Sequence, residues 1–394
     1  MYILAVLLTV ITSLVSLIWS SRHIKIYKEN KNGFILDSDC PGPPPDAPLI
    51  SVVVAAKDEE ATIESCVRTM LSQDYPNFEL IVCNDRSEDR TADIVEQICD
   101  EDTRLKLINI EELPEGWCGK NNAMQIGIGA SSGEWICMID ADCRQLSSRT
   151  LSVALEQAIS TNTDMLSILP TLEMKGFWEN VVQPVCSGVM MIWFDPDKVN
   201  SPAHKSAYAN GAFILISKDA YEKIGTHEAI KGCINEDMHM ASEAKGKGLR
   251  LKVVRSEELY TVRMYTSLKA IIQGWSRIFF GTFGTLKRLV ASFALMFCMG
   301  PLPYLTAAVG LTLYATGGST AWLVAGLAGS AAAIIQMSVI FRFYRILQGR
   351  PCLFWTYCLG CVITLYAIVK AIGNLRSGAK LVWKNTHYAT AGRK

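Results

Sequence analysis

Two aspartates one residue apart, Asp140 and Asp142, follow a short apolar run at residues 135–139. A Gly precedes the run and polar residues follow it, the punctuation of a buried strand in a parallel sheet. Ligands of open α/β sheets gather at the carboxyl ends of such strands. Paired carboxylates there can share a hard divalent cation, and Mg2+ or Mn2+ commonly links one or two carboxylates to a diphosphate. The plainer alternative is that Asp140 and Asp142 only cap the next turn.

A strand of this kind needs neighbours, and the preceding chain supplies them. Residues 49–56, LISVVVAA, form an apolar β-branched run. Residues 78–83 and 105–110 read as further strands, with helical patterns to Gln73, over 91–99 and over 122–130. Beyond Asp142, strands are expected at 165–169, 212–216 and 249–254, and helices at 177–192, 218–224 and 236–245. This alternation implies an α/β fold with a mostly parallel sheet and right-handed crossovers. The first strand is followed by Lys57-Asp58-Glu59-Glu60 and not by Gly-x-Gly-x-x-Gly. That argues against a nicotinamide or flavin enzyme.

The 394 residues hold 38 basic and 38 acidic side chains, a balance that suggests no nucleic-acid partner. Charge is absent from residues 1–21, from 289–341 and from 351–369. The first run reads as a retained transmembrane anchor: no basic stretch precedes it, and Arg22, Lys25 and Lys28 follow it. The second is split by Gly317-Gly318, so about three C-terminal spans are expected. The expected divisions are an anchor at 1–21, a basic, Pro-rich linker at 22–48, a soluble domain at 49–288, a transmembrane region at 289–372 and a basic tail at 373–394. By the positive-inside rule the protein is a multi-pass cell-membrane protein with a cytoplasmic soluble domain. One count conflicts: three C-terminal spans put the tail outside, although it carries Arg376, Lys380, Lys384, Arg393 and Lys394, with Lys370 just before. Either the tail tolerates that side, or one apolar segment is re-entrant or interfacial. The 13 cysteines are scattered with no zinc-ligand spacing, as reduced core residues are.

Four stretches, in order, resemble family 2 glycosyltransferases: VVVAAKDEE at 52–60, VCNDRSEDRT at 82–91, MIDAD at 138–142 and NED at 235–237. A fifth, Gln273-Gly274-Trp275-Ser276-Arg277, is similar to the family's Gln-x-x-Arg-Trp motif with its aromatic and Arg displaced. The resemblance covers about residues 49–288. The membrane layout, and an ending that runs Trp383-Lys384-Asn385-Thr386-His387-Tyr388, look like lipid-glycosylating members of the ceramide glucosyltransferase, hopanoid and carotenoid branches.

The resemblance implies a GT-A fold and an inverting, metal-dependent transfer from a nucleotide-sugar, expected to be a UDP-sugar, to a membrane lipid or polyprenyl-type acceptor. On this reading Asp142 binds Mg2+ or Mn2+, with Asp140 on the ribose or the metal. Asp85 contacts the donor base or ribose, and Lys120 lies near the base or diphosphate. Gln273 and Arg277 reach the diphosphate, or else the stretch is an interfacial helix whose Trp275 and Arg277 anchor in headgroups. Asp237 is the general base, with Glu236 orienting either the base or the acceptor. Arg263 and Tyr265 are expected on the same floor, and residues 190–194 form either a lip for the lipid or plain core. The alternatives are a processive polysaccharide synthase, disfavoured by so few spans, and a non-catalytic nucleotide-sugar-binding membrane protein, which would have no use for a base at Asp237.

Overall fold

A computed structural model describes residues 1–32, 35–42, 46–375, 380–383 and 386–389. Eleven of its strands are Ile35–Leu36 (β1), Ile50–Ala56 (β2), Phe78–Asp85 (β3), Leu105–Ile110 (β4), Trp135–Asp140 (β5), Cys143–Gln145 (β6), Met165–Leu169 (β7), Thr171–Leu172 (β8), Phe213–Ser217 (β9), Leu251–Ser256 (β10) and Tyr260–Val262 (β11). Eight form one sheet in the order β1-β10-β7-β9-β5-β2-β3-β4. All neighbours run parallel except β9, which is antiparallel to β5 and β7. Side chains of β2 alternate between two cores, Val52 and Val54 on one face and Val53 on the other. Ile63, Cys66, Val67 and Met70 of the Ile63–Leu71 helix cover the first face. Ala123, Met124 and Ile128 of the Gly119–Gly129 helix cover the second. Burying each Val or Ile in this way contributes roughly 1.5–3 kcal/mol.

The parallel register puts the carboxyl ends of β2, β3 and β5 on one edge. Ala55 pairs with Asp140, and Ala56 with Asn84. Because β9 runs the other way, its entrance lies on that edge too: Phe213 pairs with Ile139. A small sheet in the order β6-β11-β8 stands just past Asp142. None of its strands exceeds three residues, too short to show a period in the sequence.

The first helix does not stop at Ser21; it runs from Tyr2 to Asn32, and β1 then joins the main sheet. The stretch read as linker is therefore largely structured, although residues 43–45 lie outside the described part. Among the described residues three helices are long and apolar enough to cross a membrane: Tyr2–Ile26, Thr320–Ile346 and Pro351–Gly373. The expected span before Gly317-Gly318 is instead a pair, Leu286–Met299 and Leu302–Ala315, bent by 47°. The break has a local cause. Pro303 has no N–H to give the Met299 carbonyl four residues back. Trp19 Nε1 donates to that carbonyl at 3.1 Å, and the Gln336 amide donates to it as well. Both come from neighbouring helices, which is how a helix break is tolerated where water is scarce. The Leu302–Ala315 and Thr320–Ile346 helices touch backbone to backbone. A Cβ on Gly310 would lie 2.5 Å from the Gly326 nitrogen, the small-residue contact that lets apolar helices associate. Of the basic tail, Arg376, Lys384, Arg393 and Lys394 lie outside the described residues.

Candidate active site

The shared edge of the sheet assembles the site. Asp85 is the last residue of β3, not the residue after it, and only 3 % of its surface is exposed. Arg86 grips it with both ends of the guanidinium, at 2.8 and 3.0 Å. Asp140 closes β5 two strands away, about 10 Å across the sheet by strand spacing. The Gly119–Gly129 helix starts three residues earlier than expected, so Lys120 lies in its first turn and is half-buried. Its ammonium bridges Asp140 at 2.6 Å and Glu236 at 2.5 Å. Burial alone would lower the lysine's pKa. The two carboxylates outweigh burial and hold it well above its usual value.

Asp142 sits in the turn between β5 and β6. Burial first, then the charges of Asp140 and Glu59, push its carboxyl up to about 7 against the pull of Lys120. A half-buried carboxyl raised in this way by like charges would be relieved by a hard divalent cation. Among the described residues no three His, Cys, Asp or Glu side chains converge on one point. Asp142 and Asp140 therefore fit a cation whose shell is completed by diphosphate oxygens and water.

Asp237 arrives from the far side of the domain, in the first turn of the Glu236–Gly246 helix. Its Oδ2 accepts from the Gly211 N–H at 2.9 Å and its Oδ1 from the Met238 N–H at 2.7 Å. Burial and then the Glu236 charge raise its carboxyl to about 7, opposed by Lys120 and by these two N–H groups. Both segments around it are tied down. Asn121 Nδ2 donates to the carbonyls of Ile230, Lys231 and Cys233, holding the approach loop. Asn235 Nδ2 donates to Ile278 O at 3.2 Å and Thr282 Oγ1 at 2.8 Å, anchoring the helix start to the Leu268–Phe283 helix. The fit is tight: a Cβ on Gly281 would lie 2.4 Å from Asn235 Oδ1.

The Gln273-to-Arg277 stretch is one turn of that helix. Arg277 Nη2 lies 3.4 Å from the Tyr265 hydroxyl. Burial pushes that hydroxyl up; Arg277 lowers it, and Asp142 and Asp140 also raise it, so Tyr265 shares their neighbourhood. Gln273 is exposed on the same face one turn earlier, and its side chain hydrogen-bonds to none of the described residues. Arg263 is not on this floor. It turns to the buried Glu179, at 3.1 Å. Residues 190–194 divide: Met190 is buried and Met191 and Ile192 are exposed. Trp193 then packs on Phe283 (centroids 5.6 Å apart) and Phe194 on Tyr208 (5.4 Å). Asp237 helps to raise the Tyr208 hydroxyl, after burial, so this aromatic run leads from the apolar helices toward Asp237.

The structure thus gathers Asp140, Asp142, Lys120, Glu236 and Asp237 into one charged cluster, with Asp85 on the same edge and Arg277 joined through Tyr265. Gly211 and Glu59 were not singled out in the sequence. A Cβ on Gly211 would lie 3.1 Å from Lys120 Nζ and 3.2 Å from Glu236 Oε1. Its signal was the Asn210-Gly211 pair just ahead of an apolar strand.

Residues 51–225 match the family described as Glycosyl transferase family 2. A probable glycosyltransferase, YdaM, of Bacillus subtilis is 36% identical over 99 residues, 25% of this chain and 23% of its own length. The beta-monoglucosyldiacylglycerol synthase of Trichormus variabilis is 28% identical over 170 residues, 42% of this chain and 36% of its own. A GalNAc(5)-diNAcBac-PP-undecaprenol beta-1,3-glucosyltransferase of Campylobacter jejuni is 31% identical over 114 residues, 28% of this chain and 35% of its own. The chain thus spans about a quarter to a third of the length of these curated relatives. Among solved structures, the mannosyltransferase PcManGT of Pyrobaculum calidifontis, in complex with GDP-Man and Mn2+, superposes with a TM-score of 0.56 at 18% identity, covering 94% of this chain and 98% of that one. At that identity the likeness is one of fold, GT-A.

Proposed function

We propose, from the premise that residues 51–225 are a family 2 glycosyltransferase domain, that this protein moves a sugar from a nucleoside-diphosphate sugar to a lipid acceptor held in the membrane, by one inverting displacement. The observation that supports this most is the pair Asp142 and Asp237. They come from opposite parts of the domain, are both raised to about 7, and both feel the charge of Lys120. One lies where a donor diphosphate would arrive at a strand end; the other would take a proton. Asp85 would hold the donor's base or ribose, and Arg277 and Gln273 its phosphates. Asp142 with Asp140 would hold Mg2+ or Mn2+, which neutralises charge growing on the leaving diphosphate. Asp237 would accept the proton of the attacking hydroxyl. Glu236 keeps Lys120 in place and so sets the local charge. The acceptor would come along the Trp193–Phe283 and Phe194–Tyr208 contacts from the apolar helices. The lipid-related names of two relatives agree with such an acceptor. The catalytic domain would face the cytoplasm.

The test is to incubate membranes holding the protein with a panel of radiolabelled nucleotide-sugars, UDP-sugars first, and to identify products by mass spectrometry. A labelled glycolipid with inverted anomeric configuration is expected, and EDTA should abolish it. Asp142→Ala should weaken donor binding. Full turnover in metal-free buffer, or retained configuration, would overturn the mechanism; no product with any donor would overturn the function.

A further inference from the structure

The Pro351–Gly373 segment is long enough to cross a bilayer, yet it lies along the catalytic domain. A Cβ on Gly360 would sit 2.3 Å from the Val181 carbonyl of the Phe177–Trp193 helix. One turn later Thr364 Oγ1 and Cys186 Sγ are 3.3 Å apart. Leu365, Ile368 and Ala371 then share a buried cluster with Ile271, Trp275 and Phe279 of the Leu268–Phe283 helix. Both partner helices are bound into the catalytic domain, one through Glu179 and Arg263, the other through Asn235. The start of the segment is held on the same side: Arg255 Nη1 donates to Ile346 O at 2.9 Å and the Arg350 N–H to Asn180 Oδ1 at 3.1 Å. A helix that keeps these contacts over its length cannot also cross to the far side of the bilayer.

The opposite face of this helix is apolar and exposed. Leu359, Val362, Tyr366 and Val369 line it at steps of three and four. Leu286 and Val290 are likewise exposed at the start of the Leu286–Met299 helix, the first half of the bent pair. Charge around these rows has one sign. Residues 259–394 contain fourteen Lys or Arg and no Asp or Glu, and Lys287, Arg288 and Lys370 are exposed. Apolar rows edged by basic side chains suit the headgroup layer of an anionic bilayer, where such helices lie in the plane.

We propose that the Pro351–Gly373 segment is an interfacial helix, which together with the basic start of the Leu286–Met299 helix, at Lys287 and Arg288, seats the catalytic domain on anionic headgroups and leaves the end of the chain on the catalytic side. The proposal rests on reading the protein as a membrane-embedded transferase and adds how its domain meets the lipid. It also removes the conflict over the basic tail, which now obeys the positive-inside rule.

The test uses the full chain in a Cys352→Ser background, because Cys352 is an exposed native thiol. Single cysteines replace Asp100 in the catalytic domain, Ser319 between the Leu302–Ala315 and Thr320–Ile346 helices, and Gly373, where a Cβ meets nothing within 4 Å. In intact cells an impermeant maleimide should label Ser319→Cys alone, and permeabilisation should expose Asp100→Cys and Gly373→Cys together. Gly373→Cys labelling on the side of Ser319→Cys would overturn the proposal. Asp100→Cys labelling from outside would overturn the cytoplasmic orientation instead, and the interfacial helix would still require Gly373→Cys to follow Asp100→Cys. For the charged face, protein equilibrated in equimolar phosphatidylcholine–phosphatidylglycerol micelles should retain severalfold more phosphatidylglycerol by mass spectrometry. The triple variant K287Q/R288Q/K370Q should lose that enrichment; equal retention by the unsubstituted protein would overturn the anionic partner.

Discussion

Asp237 accepts two backbone N–H groups, and its carboxyl is nonetheless raised, because burial and the adjacent Glu236 outweigh them. The consequence for rate follows from the sign. A carboxyl moved from 3.8 to about 7 is mostly protonated at lower pH and cannot take a proton. Transfer at saturating donor should therefore fall about tenfold per pH unit below 7 and level off above it. A flat profile across this range would remove Asp237 from the role of base. Asp237→Asn should spare donor binding and cost about a hundred- to ten-thousand-fold in transfer. Lys120 lowers both the Asp142 and the Asp237 carboxyl, so Lys120→Met should move the inflection of the pH–rate curve to higher pH, and an unmoved inflection would contradict the coupling. The divalent cation competes with protons for Asp142, so apparent Mn2+ affinity should rise as pH climbs toward and past 7, read by titrating Mn2+ against activity.

Between elements, the contact that matters most to Asp237 is the one between Asn235 and the Leu268–Phe283 helix. Gly281→Ala adds one methyl group where a Cβ would lie 2.4 Å from Asn235 Oδ1. Either that side chain or the helix start must move. Displacement of about 1 Å near reacting groups costs on the order of a hundredfold in rate. The expected result is a large loss in kcat with unchanged donor affinity, measured by calorimetry beside initial rates; equal loss of both would indicate general unfolding. This scale is also where sequence reading stopped. The strands of the main sheet were legible because runs such as Ile50–Ala56 are apolar, β-branched and bounded by breakers. Asp140 and Asp142 were legible because a strand end is a place with known chemistry. The Asn235–Thr282 bond was not, since its partners lie 47 residues apart and an Asn before a helix reads equally as a cap. Lys120 looked like a residue ahead of a helix because its helix begins with Gly119, a weak helix former.

For the whole molecule, stability in the apolar part turns on the break at Met299. Among the described residues its carbonyl is capped only by side chains from elsewhere, Trp19 and Gln336. Gln336→Leu together with Trp19→Phe would leave a buried acceptor unsatisfied, at about 1–3 kcal/mol. The double variant should lose activity at lower temperature in detergent, while donor binding at low temperature stays intact. No difference in inactivation temperature would mean that the bend is satisfied by other means.

That same pair of bonds imposes an order on biosynthesis. Trp19 leaves the ribosome 280 residues ahead of the carbonyl it will cap. At ordinary rates of translation the wait is on the order of tens of seconds. During it the first helix carries an indole whose partner has not yet been made, and the catalytic sheet emerges and folds. The bundle closes only when the broken helix arrives. An unrelated apolar segment grafted in place of the first helix would match its hydropathy and would still fail at that last step, because the arriving carbonyl would find no indole waiting.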